Sequence, residues 1–297
     1  MTATFVNAHL NLEYTLECGQ AFRWKKLDDS FYYGVIGDTF VRIRQDGQLF
    51  TYETTPRPDD YPVIARYFGL DDGEDYPALV AKLATDPVLA RATQRYYGLR
   101  LLHQQPWETL ISFILSAHNN IPSIGRAVQA ISKKYGEPLV LGRYRSYTFP
   151  PPAVLIQARE EELNRELGAA YRGRFILDTT ARILDQNLNL EDYRQLPYNF
   201  AHGALTGFPG VGPKVADCVL LFSLDKREAF PVDVWIQRAM ETWYFGGQKT
   251  ALRDIHRLAV ARWGEQAGYA QEFLYMHARH SLGRAGPKVA TVNLMAT

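Results

Sequence analysis

Residues 207–235 read GFPGVGPKVADCVLLFSLDKREAFPVDVW. Three glycines, Gly207, Gly210 and Gly212, crowd ahead of Pro213, and a largely apolar run follows from Val215 to Leu224. The pattern is helix, tight glycine turn, helix. Gly210 and Gly212 can take a positive φ or let another backbone come close. Pro213 suits a first helical position, where its missing N–H costs little. Such a turn exposes backbone amides at a helix start, where the dipole favours an anion. A phosphate is the natural guest, so the turn could meet a nucleic-acid backbone without a basic protein around it. Glycines alone would equally make an ordinary turn between two helices. A glycine-rich nucleotide loop fits less well, because the segment before the turn reads as helix rather than strand.

Lys214 stands in the first turn of the second helix, and Asp233 opens the next one, VWIQRAMETWY (234–244). A helix start disfavours a cation, and a partly desolvated amine there could act as a nucleophile. Two neighbouring antiparallel helices can bring both residues to one cleft. A carboxylate in that cleft could stabilise a developing oxocarbenium ion, as in sugar chemistry. Taken singly, a solvated lysine and a structural N-cap account for the two residues as well.

The chain of 297 residues is long enough for one large or two ordinary domains, and 46% hydrophobic residues can support a sizeable core. No apolar run reaches the length of a membrane span. The start, MTATFVNAHLNLEY, lacks the basic region and apolar core of a secretory signal, so an intracellular protein is expected. Two cysteines, Cys18 and Cys218, cannot make a disulfide scaffold or the four thiolates of an iron–sulfur cluster. No cofactor or metal is expected. The formal charge is only +1, so any nucleic-acid role must rest on a local surface or on backbone groups. The 13% aromatic residues can stack on bases, though most of them suit a core.

FRWKK (22–26), FYYGVIG (31–37), TFVRIRQ (39–45) and QLFTYET (48–54) read as short strands between Asp- and Gly-rich turns. They suggest a small antiparallel meander, closed by TTPRPDDYP (54–62). From about Tyr61 the periodicity becomes helical. Residues 106–136 suggest two helices with a polar break at His118–Asn120. Residues 150–167, 172–186, 213–225, 234–244 and 270–282 suggest further helices, the first opening with prolines. The expected class is α+β, mostly α, with an N-terminal antiparallel sheet domain and flanking helices over 1–95. Helical domains follow over 96–297, with the helix-hairpin-helix near 198–225.

Together these segments carry a family resemblance. The 207–235 stretch resembles the helix-hairpin-helix and following Pro-Val-Asp loop of base-excision DNA glycosylases, and more narrowly of the 8-oxoguanine DNA glycosylases. LECGQAFRW (16–24) is similar to that family's Ser-Gly-Gln-Ser-Phe-Arg-Trp segment. GLRLLHQQPWETLISFILSAHNNI (98–121), LGAAYRGRFI (167–176) and GYAQEFLY (268–275) resemble further family segments in the same order. The likeness covers about residues 10–282.

The resemblance implies that Lys214 attacks C1′ of the damaged nucleotide, expels the base and forms a Schiff base, with β-elimination nicking the strand. Asp233 would support the developing charge. The target base must be flipped into a pocket. There, by similarity, the Gly19 carbonyl accepts the extra N7 hydrogen of 8-oxoguanine, Gln271 reads the Watson–Crick edge, and Tyr275 and Cys218 sandwich the ring. Asn119, Tyr171 and Arg172 would face the lesion site and the opposite base, and Gly210 and Gly212 the backbone. The partner implied is damaged double-stranded DNA, met by a monomer. Three positions depart from the family: Tyr275 replaces a Phe, His118 an Asn and Ser123 an Arg. A glycosylase for another damaged base and a non-catalytic hairpin module are the competing readings. The pair Lys214 and Asp233 argues against the module.

Overall fold

The computed structural model describes residues 2–283. The chain opens with β1 (Ala3–Val6) and α1 (Leu12–Glu17), then β2 (Lys25–Lys26), β3 (Tyr32–Ile36), β4 (Thr39–Asp46) and β5 (Leu49–Thr55). The five strands form one antiparallel sheet in the order β1-β5-β4-β3-β2. Cross-strand pairs such as Val35 with Phe40 and Ile43 with Tyr52 join β-branched and aromatic side chains, which suit a half-buried pleated surface. Ile43, Phe50 and Tyr52 bury one face against Leu12, Leu16 and Phe68. The other face meets a hairpin of β6 (Pro138–Leu141) and β7 (Tyr144–Tyr147), where Tyr144 lies over Tyr33 with ring centroids 4.4 Å apart.

The sequence-based meander is present, with corrections. The first expected strand shrinks to Lys25–Lys26, and β1 joins the far edge. α1 precedes the expected strands, in a stretch to which the sequence pattern assigns no element. It has six residues and is set by Asn11, whose side chain accepts the Tyr14 amide at 3.0 Å. Two turns are too short to show a helical period. The β6–β7 hairpin is a further element that the sequence pattern does not announce.

Helices follow: α2 (Tyr61–Tyr67), α3 (Tyr76–Leu83), α4 (Pro87–Arg95), α5 (Pro106–Leu115) and α6 (Ile121–Tyr135). α5 is central, with Thr109 through Leu115 all buried. It ends at the polar break, and Asn120 starts α6 by accepting the Ser123 amide at 3.0 Å. The stretch 150–167 is not one helix. α7 (Pro152–Leu155) stops early, and a wide turn over Glu162–Glu166 follows. That turn presents Asn164 Oδ1 to the Gly173 amide at 2.8 Å, at the start of α8 (Gly173–Asp185). The remaining helices are α9 (Tyr198–Thr206), α10 (Pro213–Ser223), α11 (Val234–Tyr244), α12 (Leu252–Trp263) and α13 (Ala267–Ser281). α3 and α4 bury their apolar faces in the same core as α10 and α13, not in the core of the sheet. The expected second domain runs to 297, so its last residues, 284–297, lie outside the described residues. Among the described residues, no helix is long and apolar enough to cross a membrane.

An ion-pair network fixes the connector between α10 and α11. Asp225 accepts from His103, Arg194 and Arg66, and Arg227 donates to Asp72 at 2.7 Å and to Glu74. Burial works against both carboxylates, but their cationic partners win. Asp72 is lowered to about 2 and Asp225 is held well below the carboxylate range. Burial also opposes charge on His103, yet Asp225 and Asp72 raise its pKa. The signs follow from linkage. The carboxylates contribute fully above their ordinary values, and the contribution is lost as pH falls through the lowered ones. The His103 contribution is full below its ordinary value and is lost as pH rises through the raised one. Asp225→Asn should therefore cost roughly 2 kcal/mol at pH 7, the scale of charged hydrogen bonds lost at a part-exposed site. It should also flatten the acid limb of a Tm–pH profile. An acid limb as steep as in the wild type would locate the acid sensitivity elsewhere.

Candidate active site

The hairpin is built as its residues require. α9 and α10 are tied beneath the turn by Tyr198, whose hydroxyl donates to the buried Asp217 at 2.6 Å. Gly210 has φ +76, and a Cβ there would lie 2.9 Å from Phe175. Both facts demand glycine. Of the two uses expected for Gly212, a positive φ is not the one taken: its φ is −88, the ordinary extended region. It is the N-cap of α10, makes no side-chain cap, and has open space where a Cβ would project. Its use is therefore an unobstructed approach to the first-turn amides, not a special backbone angle.

Lys214 enters the cleft from that first turn, half-buried. Its Nζ donates to Ser116 Oγ at 3.4 Å and lies 4.9 Å from the centroid of the Phe113 ring. Ser116 Oγ donates to the Phe113 carbonyl at 2.6 Å, so its oxygen is turned to accept from the lysine. Asp233 faces the same space from the start of α11. One of its oxygens accepts the Trp235 and Ile236 amides at 3.0 and 2.8 Å, so the cap uses a single oxygen. Burial raises the Asp233 pKa, while the Ile236 amide and the Lys214 charge favour the anion. One turn along α10, the Cys218 thiol is pushed up to about 12 by burial, so the cleft wall carries a neutral thiol there.

Gly19 approaches from the sheet side with φ +98. A Cβ there would stand 2.9 Å from Ile121 and 3.5 Å from the Tyr275 hydroxyl. Gln20 locks this segment: its amide donates to the Thr15 and Arg100 carbonyls at 3.0 and 2.8 Å, and its Oε1 accepts the Leu102 amide at 2.9 Å. Gln271 and Tyr275 lie one helical turn apart on α13. Gln271 is 4% exposed, and its Oε1 has no hydrogen-bond partner among the described residues. Gly19, Tyr275, Cys218, Asp233 and Lys214 are thus neighbours, brought together by the end of α1, α10, the start of α11 and α13, with Gln271 one turn from Tyr275.

A second group borders this cleft. Asn119 sits in the turn after α5, donating to the Leu115 carbonyl at 3.1 Å. His118 in the same turn has φ +49, an uncommon angle for a residue with a side chain. Tyr171 is 53% exposed and edge-on to Phe175, the ring that abuts Gly210. Arg172, expected at the opposite base, has its guanidinium turned inward. It is 4% exposed, and its guanidinium donates to the carbonyls of Ala117, His118 and Ala169. It braces the Asn119 turn from behind. Ser123 accepts a hydrogen bond from Arg126 at 2.7 Å. Phe113, Ser116, Gln20 and Glu272 escaped the sequence reading. Glu272 offered one signal, a carboxylate beside Gln271 in a run flanked by apolar residues, AQEFLY.

A family model described as "8-oxoguanine DNA glycosylase, N-terminal domain" matches residues 4–110, and one described as "HhH-GPD superfamily base excision DNA repair protein" matches residues 111–264. A probable N-glycosylase/DNA lyase of Methanothermobacter thermautotrophicus is 31% identical over 91% of this chain and 94% of its own length. The N-glycosylase/DNA lyase OGG1 of Arabidopsis thaliana is 31% identical over 91% of this chain and 78% of its own. Among solved structures, the Clostridium acetobutylicum 8-oxoguanine glycosylase/lyase, in complex with duplex DNA carrying cytosine opposite 8-oxoG, matches with a TM-score of 0.86. It is 32% identical, with 94% of this chain and 98% of that chain covered.

Proposed function

We propose a lysine-centred mechanism for this chain, which belongs to the 8-oxoguanine DNA glycosylases of the HhH-GPD superfamily of base excision DNA repair proteins. It acts on duplex DNA as a glycosylase with AP lyase activity. The damaged nucleotide is flipped from the stack, with Tyr171 as the exposed wedge and the open amides at Gly212 on the backbone. The base enters between Cys218 and Tyr275. The Gly19 carbonyl accepts its extra N7 hydrogen, and the Gln271 side chain, its Oε1 unpartnered, meets its Watson–Crick edge.

The Lys214 amine then attacks C1′. The glycosidic bond breaks, its electron pair leaves with the base, and the base takes a proton. Asp233 stabilises the positive charge that develops on the sugar. Ring opening gives the Schiff base. Loss of a C2′ proton expels the 3′ oxygen and nicks the strand. The observation that carries this reading is the half-buried Lys214 facing Asp233 in one cleft with Gly19, Gln271 and Tyr275. Borohydride should trap a covalent adduct between the wild type and a duplex carrying 8-oxoguanine. The absence of any adduct under conditions of full excision would overturn it.

Opposite-base choice is expected to rest on Ser123 and Arg126. Serine offers one hydroxyl where the related enzymes place a forked guanidinium, and Arg172 is occupied with carbonyls. A lost bidentate contact removes about 1–3 kcal/mol of discrimination. Wild-type single-turnover excision should therefore favour cytosine weakly over T, G and A. Ser123→Arg should sharpen that preference on the order of tenfold. A strong wild-type preference that disappears in Arg126→Ala would assign the clamp to Arg126 instead.

A further inference from the structure

The glycine turn between α9 and α10 is held from behind by α8. Thr179, fully buried, donates to the Pro209 carbonyl at 3.2 Å. One helical turn further along, Arg182 donates to the Gly207 carbonyl, and its guanidinium lies 4.5 Å from the centroid of the Phe208 ring. The carbonyls of Phe208 and Gly212 accept the Val211 and Ala216 amides at 3.1 and 3.0 Å. In contrast, the amides of Gly210, Gly212, Lys214 and Val215 donate to no acceptor among the described residues. We propose that Thr179 and Arg182 are positioning residues, which hold two of the turn's carbonyls against α8 so that its amide face stays turned to the phosphates of bound DNA.

The physical reason lies in the trans peptide, whose carbonyl and following amide point in opposite directions. With the Pro209 carbonyl drawn to Thr179, the Gly210 N–H must point away from α8. Released, the same peptide plane could rotate and present its partial negative end to a phosphate. Binding would then lose a donor and gain a repulsion, because an anion site of this kind depends on neighbouring N–H groups facing one way. Gly210, at φ +76 and without a side chain, is well able to follow such a rotation. Nearer the start of α8, Phe175 stands 2.9 Å from where a Gly210 Cβ would project, and Tyr171 meets Phe175 edge-on with ring centroids 6.3 Å apart. One helix therefore carries the wedge just before its first residue and the brace of the hairpin along its second half.

This rests on the reading that the hairpin amides meet the DNA backbone, and the experiment separates the two. Affinity for a duplex bearing a non-cleavable abasic analogue is measured over a range of salt for the wild type, Thr179→Val, Thr179→Ser, Arg182→Met and Gly212→Leu. Thr179→Val keeps the volume and removes the donor. It should weaken binding about fivefold, the scale of one hydrogen bond, at an unchanged log–log salt slope, because a neutral amide displaces no counterion. Thr179→Ser keeps the hydroxyl and should recover most of that loss. Arg182→Met keeps a straight stem over Phe208 without a donor and should weaken binding about tenfold, again with the slope kept. A slope shallower by about 1 in Arg182→Met would make Arg182 itself a phosphate contact and overturn the proposal. Wild-type affinity in Thr179→Val, whatever its Tm, would make Thr179 a packing residue and overturn it too. Gly212→Leu has an ordinary φ and open space for its side chain, so it should fold and cover the first-turn amides. Weak binding by Gly212→Leu beside wild-type affinity in both Thr179→Val and Arg182→Met strikes out the bracing alone. Wild-type affinity in Gly212→Leu strikes out the hairpin reading and the bracing with it.

Discussion

Lys214→Gln should abolish base excision and borohydride trapping together, while a duplex containing 8-oxoguanine still binds. The amine is the one nucleophile placed beside Asp233, and its loss falls in the range of nucleophile knockouts, on the order of 10⁴-fold or more. Glutamine keeps a polar tip of similar reach, so the contact to Ser116 Oγ can be replaced. The backbone amides of the hairpin and the Gly210 turn are untouched, so affinity should change little. A variant that still formed a reduced covalent adduct would place the nucleophile elsewhere. A variant that lost DNA binding in proportion to excision would make Lys214 a phosphate contact. Lys214→Arg sharpens the distinction. It restores the cation and should restore any phosphate contact, but it cannot form the Schiff base.

Much of this site could be read in the chain before folding. The glycine turn, Pro213 and the helix start at Asp233 are local features, and local rules of capping and φ preference place them. The polar break at His118–Asn120 also shows, because two apolar periods stop and restart around it. Elements whose stability comes from distant contacts were not legible. β1 is a four-residue edge strand that exists because β5 offers it a ladder. α12 buries Ile255, Ala259 and Trp263, a stripe four residues apart, in a helix whose other residues are mostly polar or small. The same limit applies to the site. Arg172 is expected at the opposite base from the sequence, and only the fold shows the carbonyls of Ala117 and His118 waiting for it. Ser116 gains a role because α5 and α10 meet, which no spacing along the chain announces. Glu272 looks like a solvated helix residue until α13 is seen buried along that face.

Asp233→Asn should slow excision by a factor of about 10² to 10³ while leaving DNA affinity and the fold nearly intact. Asparagine is as good an N-cap as aspartate, so the Trp235 and Ile236 amides keep their acceptor and α11 keeps its start. What the variant loses is a full negative charge at a half-buried position, where a fixed charge acts more strongly on a developing cation than in bulk water. Removing one such preorganised interaction typically raises a barrier by roughly 3–4 kcal/mol. The loss should appear in the single-turnover rate and not in the binding constant, because the charge is needed only as the glycosidic bond opens. Burial pushes the Asp233 pKa upward, and Lys214 is one of the groups opposing it, so the carboxylate and the amine are set against each other before substrate arrives. Asp233→Asn removes one side of that balance without disturbing the lysine's position. A variant with wild-type single-turnover rates would reduce Asp233 to a helix cap. A large drop in Tm alongside the rate loss would point to the same capping role, since a purely electrostatic role predicts a stable protein that binds and fails to cut.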